Sequence, residues 1–243
     1  MKMMCFAKRC TKEIVRDPLN IAFGLGFEVV LLLLLSIIQS NIPVSLFEID
    51  KLAPGIAVFG LSFNTLFSAT LISKDRGSAF LSRLFTTPMS AADYIIGYCL
   101  PIIPMALAQT LFCYAVAIPL GLNVTVNIVF SLLMMIPVSV VFIAFGLLCG
   151  SIFTENQVGG ICGALFTNVC AWLSGIWFDL NLVGGAFKKI AYMLPFVHAV
   201  DMQKAIIAGD FGAIFPHIYW VLGYAILILI IAVLVFTKKM RRT

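Results

Sequence analysis

Charge is what this sequence most lacks, and the shortage decides its class. Only 11% of the residues are charged while 62% are hydrophobic, against roughly 25% and about 45–50% in soluble domains. A water-soluble fold of this length has no interior able to hide that much apolar surface. Several motifs are missing as well. No GxxxxGK[ST] phosphate loop occurs, which excludes nucleotide hydrolysis by that route. HExxH and GxSxG are absent, and the apolar stretches hold no pair of acids suited to a protease. Histidine is nearly absent: His198 and His217 are the only two. With no CxxC and no histidine beside any of the seven cysteines, no zinc ligand set is recognisable. Cys99, Cys113, Cys149, Cys162 and Cys170 fall in apolar runs, with Cys5 and Cys10 in the amino-terminal arm, and read as small packing residues.

What is present is a series of long apolar runs. Six are read, over 19–40, 54–73, 94–120, 128–150, 158–178 and 217–237. Each approaches the roughly 20 residues a helix needs to cross hydrocarbon. None alternates with period two, so a closed barrel is excluded and an all-α polytopic membrane domain over 1–243 is expected. The first run is too long for a signal peptide and lacks a clear small-residue cleavage site.

Lys and Arg set the orientation. Lys2, Lys8, Arg9, Lys12 and Arg16 precede the first run; Lys74, Arg76 and Arg83 lie between the second and third; Lys238, Lys239, Arg241 and Arg242 follow the last. If six spans alternate, all of these share one side, which the positive-inside bias makes cytoplasmic, together with both termini. The net charge of +5 is thus topological and does not point to nucleic acid.

Three connecting segments carry further pattern. Within the arm over 1–18, Met3, Phe6, Cys10 and Ile14 recur at helical spacing, with Lys8, Arg9, Lys12 and Arg16 on the other faces. That is an interfacial helix, apolar side toward lipid, and either an anchor or a partner contact. The polar island over 74–93 holds an apolar-faced helix over 79–85, a break at Thr87-Pro88, and Ser90 with Asp93 as a cap for the next helix. The segment over 179–216 fits two short helices, about 186–194 and 196–208, which either dip into the outer leaflet as a re-entrant hairpin or lie upon it. His198, Asp201 and Lys204 share a face of the second helix, as a solvated surface or an outer gate.

Inside the runs, Gly160, Ala164, Thr167, Ala171 and Ser174 form a small-residue stripe suited to close helix packing, including across a dimer. Asn64 and Ser68 either line a polar path or make interhelical hydrogen bonds. Glu28 sits about nine residues into the first run, on the order of 14 Å deep, with no basic residue in any run to pair with it. A lone carboxyl at such depth is a functional candidate.

In their order, the arm ending KEIVRDPLN, the loop DRGSAFLSRLFTTPMSAADYIIG and the late segment LPFVHAVDMQKAIIAG resemble the permease subunits of type-2 ABC exporters. RLFTTPMSAADYIIG is most similar to the antibiotic- and peptide-efflux branch, while polysaccharide, teichoic-acid, sodium and lipid exporters share the scaffold. The resemblance implies an arm that contacts a separate ATPase, and a coupling helix over 75–87 that docks in it through Asp75, Arg76, Arg83, Leu84 and Phe85. It also implies outer re-entrant helices over 179–216 and a dimer interface on the first and fifth spans. The assembly it implies is two ATPases with two permeases, identical or homologous, in a bacterial cytoplasmic membrane. ATP and Mg would then sit on the partner, with no cofactor on this chain. The alternative is an ATP-independent carrier or channel, with Glu28 as a proton- or cation-linked site.

Overall fold

The computed structural model describes residues 2–18, 22–42, 47–78 and 91–240, and every regular element among them is helical. The amino-terminal arm is α1 (Lys2–Arg16). Five helices are long and apolar enough to cross a membrane: α2 (Ala22–Asn41), α3 (Ile49–Gly77), α4 (Ala91–Ala117, running on to Leu120), α5 (Asn127–Ile152) and α10 (Ile214–Met240). Between α5 and α10 lie α6 (155–173) and the short helices α7 (Leu180–Val183), α8 (Gly185–Tyr192) and α9 (Pro195–Ala208).

Two boundaries depart from the sequence pattern. The island expected from Lys74 onward begins instead as the last turn of α3, which runs to Gly77. Lys74, Asp75 and Arg76 stay helical because Asp75 and Arg76 have partners on neighbouring elements, and basic residues suit a helix carboxyl end. The expected span over 158–178 ends at Leu173, since Gly175 turns the chain at φ 69°, a region open mainly to glycine. Its centre, Gly159–Phe166, is π-helical. The helix over 155–173 is not among the five that length and hydropathy mark as membrane-crossing.

α3 is the hub. Its apolar window is 89% buried, against 22% for α2 and for α10. It packs against α5, α4, α9 and α6. The α3–α5 seam is close because glycine is on one side of it. A Cβ on Gly146 would sit 2.6 Å from the Thr65 carbonyl oxygen, and one on Gly150 2.6 Å from that of Ala69. Lipid offers helices no hydrophobic reason to associate, so such close approach supplies the dispersion contact that holds them. Thr65 Oγ1 donates to the Phe142 carbonyl at 2.8 Å across the same seam.

Arg9 and Tyr98 meet the end of α3, while Arg76 and Lys239 meet the end of α5. The arm, the carboxyl ends of α3, α5 and α10 and the start of α4 therefore gather at one basic end. At the opposite end, Asn127 donates to the Ile207 carbonyl at 3.3 Å and Tyr224 to the Met193 carbonyl at 2.5 Å, holding α9 and α8 against α5 and α10.

Candidate functional site

The basic end is built around one buried carboxylate. Asp75 is 2% exposed. Arg9 donates to both of its oxygens, at 2.5 and 2.6 Å, and also pairs with Glu13 at 2.7 Å. The Tyr98 hydroxyl donates to Asp75 Oδ2 at 2.8 Å. A bidentate guanidinium with a third donor is what a buried carboxylate requires to remain charged. Burial by itself would lower the Arg9 pKa, but the hydrogen bond and charge of Asp75 hold it above its usual value. The apolar face of α1 completes the joint. Phe6 meets Tyr94 and Tyr98 edge-on at 5.8 and 4.9 Å, over Gly97, where any Cβ would collide with the ring. Cys10 is buried beside it, and burial pushes its thiol up to about 12. It therefore packs as a neutral group.

Arg76 braces the next helix. It donates to the carbonyls of Ser151 and Phe153, the latter at 2.7 Å, and Lys239 Nζ donates to Ile152 at 3.0 Å. These carbonyls end α5 and lack intrahelical partners, so two cations serve as its carboxyl cap. Asp75, expected on a docking surface, is thus an internal strut, and Arg76 is half-buried and engaged with the end of α5, whereas Arg83, Leu84 and Phe85 lie outside the described residues. Lys8, Lys12 and Arg16 are exposed along α1. Sequence reading missed Tyr98 as the third member of the joint; its only signal was a polar tip about two turns into an apolar helix.

In the middle of the bundle, Glu28 is 1% exposed and accepts a hydrogen bond from the Gln109 amide on α4. It reaches Gln109 across Gly60 on α3, where a Cβ would overlap both groups. Asn64 lies one turn along α3. Among the described residues, neither polar atom of the Asn64 side chain has a partner, nor do Glu28 Oε2 and Gln109 Oε1. Ser68 donates to the Ile143 carbonyl at 3.4 Å, which makes it an interhelical contact. Gln109 was the signal left unread, being the one side-chain amide in its apolar run.

At the opposite end the two histidines meet. His198 is 6% exposed, so it is not part of a solvated face. Its Nε2 lies 3.0 Å from the Tyr192 carbonyl, which can only accept, so Nε2 carries a proton. Its Nδ1 lies 2.9 Å from His217 Nδ1 on α10, and only one of those two nitrogens can hold a proton. The His198 ring also stacks on Trp220 at 4.9 Å. The charged and titratable neighbours are His217, Asp201, Lys204 and Tyr192, whose hydroxyl donates to Asp201 at 3.4 Å. Burial lowers the His198 and Lys204 pKa values and raises that of Asp201. The unfolded chain then binds protons more readily than native His198 once pH falls below about 6.5. The contribution of His198 to stability is complete above that pH and declines as pH falls toward its lowered native value, whereas Asp201, whose pKa burial raises, works in the opposite sense as it protonates. Thermal melting of the purified chain between pH 8 and pH 5 is expected to show this decline, and His198→Gln to flatten it.

The profile of the ABC-2 type transporter family matches residues 2–208, from the arm through α9. The chain belongs to the ABC-2 type transporters. No curated protein matches it. The permease is accordingly an integral membrane protein and the transmembrane subunit of an ABC transporter, a family of transport subunits that typically work with an ATPase partner.

In the permease the small-residue stripe does not keep to one face. Thr167, Ala171 and Ser174 are buried within the chain, whereas Gly160 and Ala164 are exposed and a Cβ on Gly160 would meet nothing. The π-helical turns over Gly159–Phe166 shift the phase between the two groups. A cleft of about 430 Å³ opens beside α6, walled by Phe23, Phe27, Phe59, Phe63 and Trp177. The rings form a continuous set, with Phe27–Phe63 at 5.5 Å, Phe59–Phe63 at 6.1 Å and Phe59–Trp177 at 6.0 Å.

Proposed function

We propose that the permease is the membrane half of an ATP-driven exporter that moves an amphipathic drug, peptide or lipid out of a bacterial cell. Two copies of a separate ATPase and a second permease, identical or homologous, complete the unit, with the basic end in the cytoplasm. The observation that carries this reading is the braced joint. The segment over 79–90 leaves the end of α3 and returns at the start of α4, and Asp75, Tyr98, Arg9 and Arg76 tie those ends to α1 and α5. A load applied there by a partner would reach three long helices together, because bistable packed elements move as units. The aromatic cleft supports a substrate with apolar surface, and the exposed Gly160 and Ala164 leave a smooth face for the second permease.

A second reading is favoured by one observation, the unpartnered oxygens of Glu28, Gln109 and Asn64. It makes Glu28 a proton- or cation-linked site in an ATP-independent carrier, and polysaccharide or sodium are alternative cargoes of the shared scaffold. One experiment separates the two readings. In proteoliposomes, efflux of an amphipathic dye is expected only when the cognate ATPase and ATP are both present, and Glu28→Gln is expected to keep it. Flux from the chain alone, driven by a pH or sodium gradient and lost in Glu28→Gln, would establish the carrier instead.

A further inference from the structure

Among the described residues two acids are buried, Asp75 and Glu28, and their surroundings differ in kind. Asp75 has the Arg9 guanidinium on both oxygens and the Tyr98 hydroxyl as a third donor. Glu28 is buried as deeply, yet its one donor is the neutral Gln109 amide and no cation reaches it. The Asn64 amide, one turn from Gly60 on the same helix, makes no hydrogen bond at all. The titratable neighbour is Cys113, one turn beyond Gln109, and its thiol is occupied in donating to the Ala53 carbonyl at 3.8 Å. Nothing here does for Glu28 what Arg9 does for Asp75.

The unpartnered atoms identify what is missing. Gln109 Nε2 donates to Glu28 Oε1, which leaves Glu28 Oε2 and Gln109 Oε1 without partners. Each is the second prong of a planar fork whose first prong already engages the other group. On a carboxylate and an amide both leftover oxygens can only accept, so neither can satisfy the other. A proton on Glu28 Oε2 removes the conflict. The hydroxyl then donates to Gln109 Oε1 while Gln109 Nε2 donates to Glu28 Oε1, and both unpartnered atoms are satisfied by one another. A dry carboxylate with a single neutral donor is costly, whereas a neutral acid paired at both oxygens is not.

We infer that Glu28 holds a resident proton at pH 7 and forms with Gln109 a closed acid–amide clasp between α2 and α4, through the notch that Gly60 leaves in α3. Its role is to position α2. That helix is shallowly held, with 22% of its apolar window buried, and Glu28 lies on its buried stripe with Leu32 and Leu35. Phe23 and Phe27 of the same helix wall the aromatic cleft, so the clasp fixes where that wall stands. The inference goes beyond both readings above: a carrier would release this proton or exchange it for a cation, and the clasp keeps it.

The test is infrared spectroscopy of the full permease with isotope-labelled glutamate carboxyls, at pH 6 and pH 8, with and without sodium. The other three glutamates, Glu13, Glu48 and Glu155, have side chains that reach water and have lost their protons at both values. A labelled protonated-acid carbonyl band therefore belongs to Glu28. It is expected at both pH values and unchanged by sodium. It should be lost in Glu28→Gln and shift to the higher frequency of an unbonded acid in Gln109→Leu. In Glu28→Gln/Gln109→Glu, where acid and amide trade places, it should return at its bonded position. Carboxylate bands alone in the unmodified chain overturn the inference, whether or not any variant folds. A band lost between pH 6 and pH 8, or on adding sodium, also overturns it and gives Glu28 to the carrier. A band that Gln109→Leu leaves unmoved overturns the clasp, since the proton would then be held without its partner. Absence of ATP-driven efflux would change none of these outcomes.

Discussion

Arg9→Ala destabilises the permease by about 3–5 kcal/mol, the range for breaking a buried ion pair from one side. The size follows from which partner is left behind. Asp75 has 3% of its side-chain surface exposed, so without Arg9 its charge is left in a nearly dry site with Tyr98 as its remaining donor. The reverse change is milder. Arg9 keeps 35% exposure and its contact with Glu13, so after Asp75→Ala it can turn toward water, at about 1–3 kcal/mol. The double variant should cost no more than Arg9→Ala alone, because the stranded carboxylate has gone too, and this non-additivity marks a direct pair. Arg9→Lys should rescue poorly, since an ammonium cannot span both carboxylate oxygens. Reversible unfolding in mixed detergent measures these differences. Tryptic cleavage after Lys8 or Lys12 gives a local readout, rising in Arg9→Ala as the arm lifts from α3 and α4. An Arg9→Ala variant as stable as the parent, with a protected arm, would show that the joint is ornamental.

The joint also marks where the sequence pattern stops being informative. The phase of the arm was legible, because Phe6, Cys10 and Ile14 recur at helical spacing and are the residues buried. The long spans were legible because a charge-poor run of about 20 residues matches the thickness of hydrocarbon. Asp75 was misplaced on an outer surface, and the α5 contacts of half-buried Arg76 were missed, because charges beside a membrane span read as solvated and their partners lie 66 and 77 residues away. No local pattern encodes those pairings. His198 and His217 posed the same difficulty at 19 residues' separation. The stripe from Gly160 to Ser174 failed for a different reason. A wheel drawn at 3.6 residues per turn cannot follow a helix whose middle turns are π-helical, so five small residues that seemed aligned divide between two faces. Gly146 and Gly150 were present as a small-xxx-small pair and passed unread among many other apolar residues.

That overlooked pair carries the second large effect. Gly146→Val and Gly150→Val should each destabilise the permease by about 1–3 kcal/mol or more, and the double variant should fail to assemble. What decides this is the kind of atom each new Cβ would meet. At Gly60 the obstacles are side-chain ends, Glu28 and Gln109, which can swing aside. At Gly146 and Gly150 they include the carbonyl oxygens of Thr65 and Ala69, both 2.6 Å away. A backbone oxygen moves only if its helix moves, so relief requires α3 and α5 to separate. Separation would stretch the hydrogen bonds from Thr65 to Phe142 and from Ser68 to Ile143, each worth about 0.5–1.5 kcal/mol. It would also pull Arg76 from the end of α5, carrying the damage to the basic end. Gly160→Val is the informative contrast, because a Cβ there meets nothing within the chain. It should leave the unfolding transition of the single chain unchanged and, if that face receives a second permease, reduce the dimer seen by crosslinking. Equal sensitivity of Gly146 and Gly160 to valine would mean that α3 and α5 are not locked at this seam, and a load on the basic end would then have no rigid pair of helices through which to act.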